Sequence, residues 1–102
     1  MNDLIILFAG ALLCNSIPHL AAGLRGEPFP TPFATPRGVG HSSPSVNFYW
    51  GAGNLFVGFF LLWRRLETAE FNGGLVALVV GFVASGAYLS RHFGRVREGY
   101  DR

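Results

Sequence analysis

Apolar positions fall into three long runs, separated by one long and one short polar segment. The first extends from Leu4 to Leu24 without a charged residue; it opens on Leu4-Ile5-Ile6-Leu7-Phe8 and turns polar at Asn15, Ser16, Pro18 and His19. A helix needs about 20 apolar residues to cross the hydrocarbon of a bilayer, and this run supplies them. Pro18 near its end is expected to kink or terminate the helix. The second run is Val46 to Trp63; the third, Phe71 to Ser90, is stopped by Arg91. None alternates with a period of two, and each is about twice the length of a barrel strand, which argues against a transmembrane β-barrel. The pattern predicts an all-α membrane protein, a three-transmembrane-helix bundle forming a single domain over residues 1–102. Helix 1 is expected at about 4–24, a Pro/Gly-rich loop at 25–45, helix 2 at about 46–65, helix 3 at about 71–91 and a basic tail at 92–102.

The run ends carry membrane-boundary residues. Tyr49 and Trp50 mark one end of the second run, and Trp63 followed by Arg64 and Arg65 marks the other; Tyr88 is a candidate anchor in the third. Amphipathic rings settle at headgroup depth and Arg stays in the wet layer. A retained first helix is expected rather than a cleaved signal peptide, because Met1-Asn2-Asp3 offers no Lys or Arg. The short connection Leu66–Glu70 predicts that helices 2 and 3 form a tight antiparallel hairpin. Three spans place Arg64 and Arg65 on one side, and Arg25, Arg37, Arg91, Arg95, Arg97 and Arg102 on the other. That bias predicts an inner-membrane protein with its N-terminus outside and its C-terminus cytoplasmic.

Composition agrees with this reading. Half of the residues are hydrophobic and 14% are charged, against about 25% charged in soluble domains. A chain this small cannot hide so much apolar surface from water, and it is too apolar to be disordered. The net charge is +2, and every basic residue is Arg. No nucleic-acid-binding pattern is present. The lone Cys14, inside an apolar run, reads as a packing residue.

Helix faces indicate how the spans associate. Gly73, Ala77, Gly81 and Ser85 recur every four residues in the third span, a stripe of small side chains that permits close helix approach. In the second span Asn47, Gly51, Asn54 and Gly58 share one face. Amides facing lipid without partners would cost several kcal/mol, so this face is expected to point inward. Asn15 and His19, four apart in the first span, are natural partners, and an internal polar cluster of Asn15, His19, Asn47 and Asn54 follows. Its simplest role is interhelical glue; the alternative is the lining of a ligand pocket.

The loop Arg25–Ser45 is the most distinctive segment. Pro28, Pro30 and Pro32 impose an extended path, and Phe29 and Phe33 favour an ordered flap over the mouth of the bundle. Arg37-Gly38-Val39-Gly40-His41-Ser42-Ser43 could turn backbone amides toward an anion, although a plain turn with Ser45 or a nearby serine capping the second helix is the simpler reading. His19, His41 and His92 belong to one side of the membrane, yet neither their spacing nor their neighbours form a metal motif, and no metal or cofactor is expected. The span interiors lack Asp, Glu, Lys and Arg, so ion-coupled transport would require an oligomer.

Two functions are compatible with this pattern. The leading expectation is an interaction or assembly subunit that contacts membrane lipids and associates with itself or a larger membrane complex through the small-residue stripe. The alternative is binding, transport or conversion of a lipid-like or small apolar ligand under the loop, lined by His19, Glu27, Arg37, His41, Asn47 and Asn54. An enzyme version would use His19 or His41 as general base, Glu27 to orient it and Arg37 to hold an anionic group; an enzymatic role ranks below the interaction role.

Overall fold

A long uncharged segment satisfies its backbone most simply by closing every hydrogen bond within itself, and all three runs become α-helices. The computed structural model describes residues 3–67 and 72–101. Their order is α1 (Asp3–Leu24), β1 (Phe29–Pro30), β2 (His41–Ser42), α2 (Pro44–Glu67) and α3 (Asn72–Asp101). The regular structure among the described residues is thus helical apart from a short antiparallel strand pair in the loop, Phe29 opposite Ser42 and Pro30 opposite His41. Each helix contains a segment long and apolar enough to cross a membrane: Leu4–Leu24, Pro44–Arg65 and Gly74–Gly99.

Local chemistry sets the boundaries. α1 runs through Pro18 rather than ending there, because packing on two sides holds the turn that proline weakens. It closes in a Schellman arrangement: Gly26 adopts φ +71°, its amide reaches the Gly23 carbonyl at 3.2 Å, and the Glu27 amide reaches Ala22 at 2.8 Å. α2 begins slightly earlier than expected, with Pro44 in its first turn. Its cap is Ser43 rather than Ser45, with Ser43 Oγ accepting from the Val46 amide at 3.2 Å. α3 does not end at Arg91. It continues through the segment expected to be a tail, where no proline interrupts and Arg and Glu are good helix formers. Its 30 residues correspond to about 45 Å, more than the roughly 30 Å hydrocarbon thickness.

The middle of the fold is α1. It packs against both α2 and α3, which make little contact with each other among the described residues. The turn of the expected α2–α3 hairpin lies outside the described residues, and the principal neighbour of each of these helices is α1. The cause is visible in α1 itself, which is narrow on two faces. Toward α2, Gly51 sits against Ser16 and Leu20, and Gly58 against Ala9 and Leu13. Toward α3, Gly81 is buried against the Leu7 carbonyl, Gly10 against Leu78 and Phe82, and Ser85 Oγ donates to the Ala11 carbonyl at 3.3 Å. Ala77 on the same stripe is half-buried; the surroundings of Gly73 lie outside the described residues. The small-residue face of α3 is therefore occupied by α1 of the same chain.

Burial is inverted relative to a water-soluble domain. Ser16, His19, Thr31, Asn47 and Asn54 are buried, while Phe8, Phe56, Phe59, Phe60, Trp63, Val76 and Val83 are exposed. Gly81→Leu forces a bulky side chain into the α1 backbone and is expected to destabilise the fold by about 1–3 kcal/mol, read as a lowered unfolding midpoint in detergent. Gly53→Ala, where an added Cβ meets no atom, should leave the midpoint unchanged or slightly higher.

Candidate functional site

The polar residues of α1 and α2 meet as two pairs. Deeper in the helices, Asn15 Nδ2 donates to Asn54 Oδ1 at 3.1 Å, and Asn54 Nδ2 donates to the Trp50 carbonyl at 2.8 Å. Nearer the loop, His19 Nδ1 and Asn47 Oδ1 are 2.7 Å apart, and both residues are buried. Asn47 Nδ2 lies within hydrogen-bond distance of the carbonyls of Phe29 (3.0 Å), Ser42 (3.3 Å) and Ser43 (3.1 Å). That orientation leaves Oδ1 as the acceptor, so His19 Nδ1 carries the proton, and in the neutral ring the lone pair sits on Nε2.

Around His19 the loop, α2 and α3 contribute rings. Phe29, Phe93 and Trp50 meet its imidazole edge-on, with centroids at 5.5, 6.1 and 6.5 Å, and Phe29 lies 4.6 Å from Phe93. Phe33 packs edge-on against Trp50 at 5.0 Å. Of the two adjacent candidate anchors, Tyr49 is 72% exposed, whereas Trp50 turns inward onto His19 and Phe33.

The loop is fastened at several points. Thr31 Oγ1 and Ser42 Oγ are 2.6 Å apart, and the Thr31 carbonyl accepts from Ala34 and Gly38 amides at 3.1 and 2.9 Å. His92 Nε2 donates to the Gly38 carbonyl at 2.7 Å, tying the loop to α3. The Gly38–Gly40 stretch forms the plain turn, not the anion-binding alternative: the Val39 and Gly40 amides donate to the Pro36 carbonyl at 3.0 and 2.8 Å. Together with the Gly38 amide they are spent within the loop.

Beside this core, at the loop end of the helices, lies a cleft of about 550 Å³. Arg25, Glu27 and Arg97 supply charged groups to its lining, His41 a further polar one, and Phe29, Phe93, Pro30 and Val96 apolar surface. Arg25 Nε and Nη2 both donate to Glu27 Oε1, at 3.1 and 2.8 Å. This bond, with a lesser contribution from the charge of Arg97, holds the Glu27 carboxyl below its ordinary range. The pair is exposed, so its net contribution to stability is small. A second, more open cleft of about 480 Å³ lies between Val39, His92, Arg95 and Val96.

The six residues expected to line one pocket are thus distributed. Glu27 and His41 reach the cleft, His19 and Asn47 form the dry pair beside it, Asn54 sits deeper with Asn15, and Arg37 is exposed on the loop surface. Arg25, Arg97, Phe29 and Phe93 are the cleft residues that spacing did not single out. The helix continuing past Arg91 brings Phe93 and Arg97 to the loop; an aromatic residue directly after the last apolar run was the available signal. Among the described residues no group of three or more His, Cys, Asp or Glu side chains could hold a metal ion.

No family model, curated protein or solved structure matches the chain. Its functional reading therefore rests on this geometry.

Asn47→Leu removes the partner of a buried imidazole and of the loop carbonyls. A loss of about 2–4 kcal/mol is expected from leaving those groups unsatisfied, with faster protease cleavage between Thr31 and Gly40. Asn54→Leu breaks one interhelical bond, to Asn15, and one within its own helix, to the Trp50 carbonyl, and should cost about 1 kcal/mol. Equal effects of the two substitutions on the unfolding midpoint would remove Asn47 from its central position.

Proposed function

We propose that this chain is a multi-pass inner-membrane protein that binds a lipid-like or small amphipathic ligand in the cleft beneath its Pro-rich loop. The observation carrying this reading is the cleft itself, whose lining combines ionic groups with aromatic rings. It lies where α1 gives way to Arg25, at the edge of the candidate span. A site with both characters at the end of three apolar helices fits a molecule with one polar and one apolar end. The inverted burial supports immersion in lipid, because water would not tolerate the exposed rings of α2. The arginine distribution favours a cytoplasmic loop and C-terminus, with the N-terminus outside.

An assembly role is the second reading, and it now draws on a different surface. The α3 stripe is taken up by α1, so a partner would have to meet the outward rings of α2, Phe56, Phe59, Phe60 and Trp63. Lipid covers the same surface without a partner. A mass corresponding to more than one copy in several detergents, lost on replacing Phe56 and Phe60 by Leu, would favour assembly.

The binding reading is tested by filling the cleft. Gly94 lies on its wall, and an added Cβ there meets no atom, so Gly94→Leu occupies space without disturbing the helices. Native mass spectrometry of protein extracted in mild detergent should show co-purifying lipid-like adducts on the wild type and their loss from Gly94→Leu, at unchanged unfolding midpoint. Identical adducts on both proteins would argue that the cleft is not the site.

A further inference from the structure

We infer that the cleft selects a phosphate-bearing, negatively charged lipid headgroup, with Arg25 and Arg97 as its recognition residues and Glu27 as the internal counter-ion the phosphate displaces. This inference rests on the binding reading above and adds the chemistry of the ligand.

Charge comes first. Among the residues lining the cleft, two guanidinium groups, Arg25 and Arg97, stand with a single carboxylate, Glu27. Arg25 already holds one carboxylate oxygen through two donors, and the same planar edge can present them to two oxygens of a phosphate. A guanidinium carries five N–H donors; Arg25 can turn part of its fork to a phosphate, and Arg97 can add donors while keeping its present contacts. The Arg25–Glu27 pair is solvent-exposed on both partners, at 63% and 56%, so exchanging one anion for another costs little.

Depth comes second, and it is independent of charge. Tyr49 is 72% exposed, and its neighbour Phe48 packs on Gly23, two residues before Arg25. An exposed tyrosine on an apolar helix marks headgroup level, which sets the Arg25 end of the cleft close to it. The same lining includes Phe29, Phe93 and Val96, suited to the glycerol and first methylenes of a lipid rather than to a fully hydrated anion.

The test uses the full-length protein in mild detergent, titrated with phosphatidylglycerol, phosphatidylcholine or inorganic phosphate and read by native mass spectrometry, for wild type, Arg97→Gln, Arg25→Gln and Gly94→Leu. The expected result is at least about tenfold tighter binding of phosphatidylglycerol than phosphatidylcholine. Each Arg→Gln variant should lose most of that preference, and Gly94→Leu should lose both lipids. Equal binding of the two lipids by the wild type, with both lost in Gly94→Leu, overturns headgroup selection and leaves the binding reading intact. Inorganic phosphate competing at the same concentration as phosphatidylglycerol overturns the lipid as the source of the phosphate. Unchanged lipid binding by Gly94→Leu overturns both the inference and the reading beneath it.

Discussion

A polar group placed among apolar helices has to find its partner inside the protein, and the fold is arranged around one side chain that answers this demand in two directions. Asn47 gives its oxygen to His19 on α1 and its amide nitrogen to carbonyls of β1, β2 and the residue capping α2. The first contact locks α1 to α2; the second fastens both strand segments of the loop to the same helix. The order of the loop is therefore coupled to the docking of the helices. An Asp at this position would keep the acceptor but lose the donor, and it would bring a charge into a fully buried site, which is costly without a paired cation.

Close approach is the other half of the arrangement. Without water to drive apolar surfaces together, helices in hydrocarbon associate through van der Waals contact and a few hydrogen bonds. α1 satisfies this on two faces because Ala9, Gly10, Ala11, Cys14, Ser16 and Gly23 leave its backbone accessible to both neighbours. The large side chains then have only the outside to occupy. Phe8, Phe56, Phe59 and Phe60 are exposed as a consequence of small residues having taken the contacts, so the inverted burial and the central position of α1 share one cause.

Much of this was legible in the residues. Charge-free length predicts three helices, and the inward face of α2 is readable from Asn47, Gly51, Asn54 and Gly58, which do meet α1. The spacing of Asn15 and His19 likewise places them where Asn54 and Asn47 can reach. Periodicity identifies a face without naming its partner, however, and the stripe on α3 could equally have served another copy of the chain; only the packing shows Leu7 and Gly10 on it. Adjacent residues with similar chemistry also resist separation by sequence. Tyr49 faces out and Trp50 faces in, a distinction set by the rotation of α2 about the Asn47 contact. The anion-binding potential of Gly38 to Gly40 failed for a local reason: their amides close turns onto Thr31 and Pro36, an accounting that composition does not reveal. The cleft was the least legible feature, since its walls come from the loop and from a part of α3 that reads as a charged tail.

Phe29 and Phe93 belong both to the cage around His19 and to the wall of the cleft. The two sites share walls but differ in how readily they change. Breaking His19 from Asn47 would strand buried donors and acceptors at a cost of about 1–3 kcal/mol for each group, whereas exchanging Glu27 for another anion at Arg25 takes place in solvent. On the binding reading, ligand entry therefore acts on the exposed ion pair while the dry pair holds the rings in place. The rings need not move for a headgroup to arrive, because their packing is set from behind by the imidazole and, through Asn47, by the loop carbonyls. Rigid rings beside an exchangeable ion pair are an economical way to offer a preformed site at a membrane surface: the ordering cost is met during folding, and little remains to be met on binding.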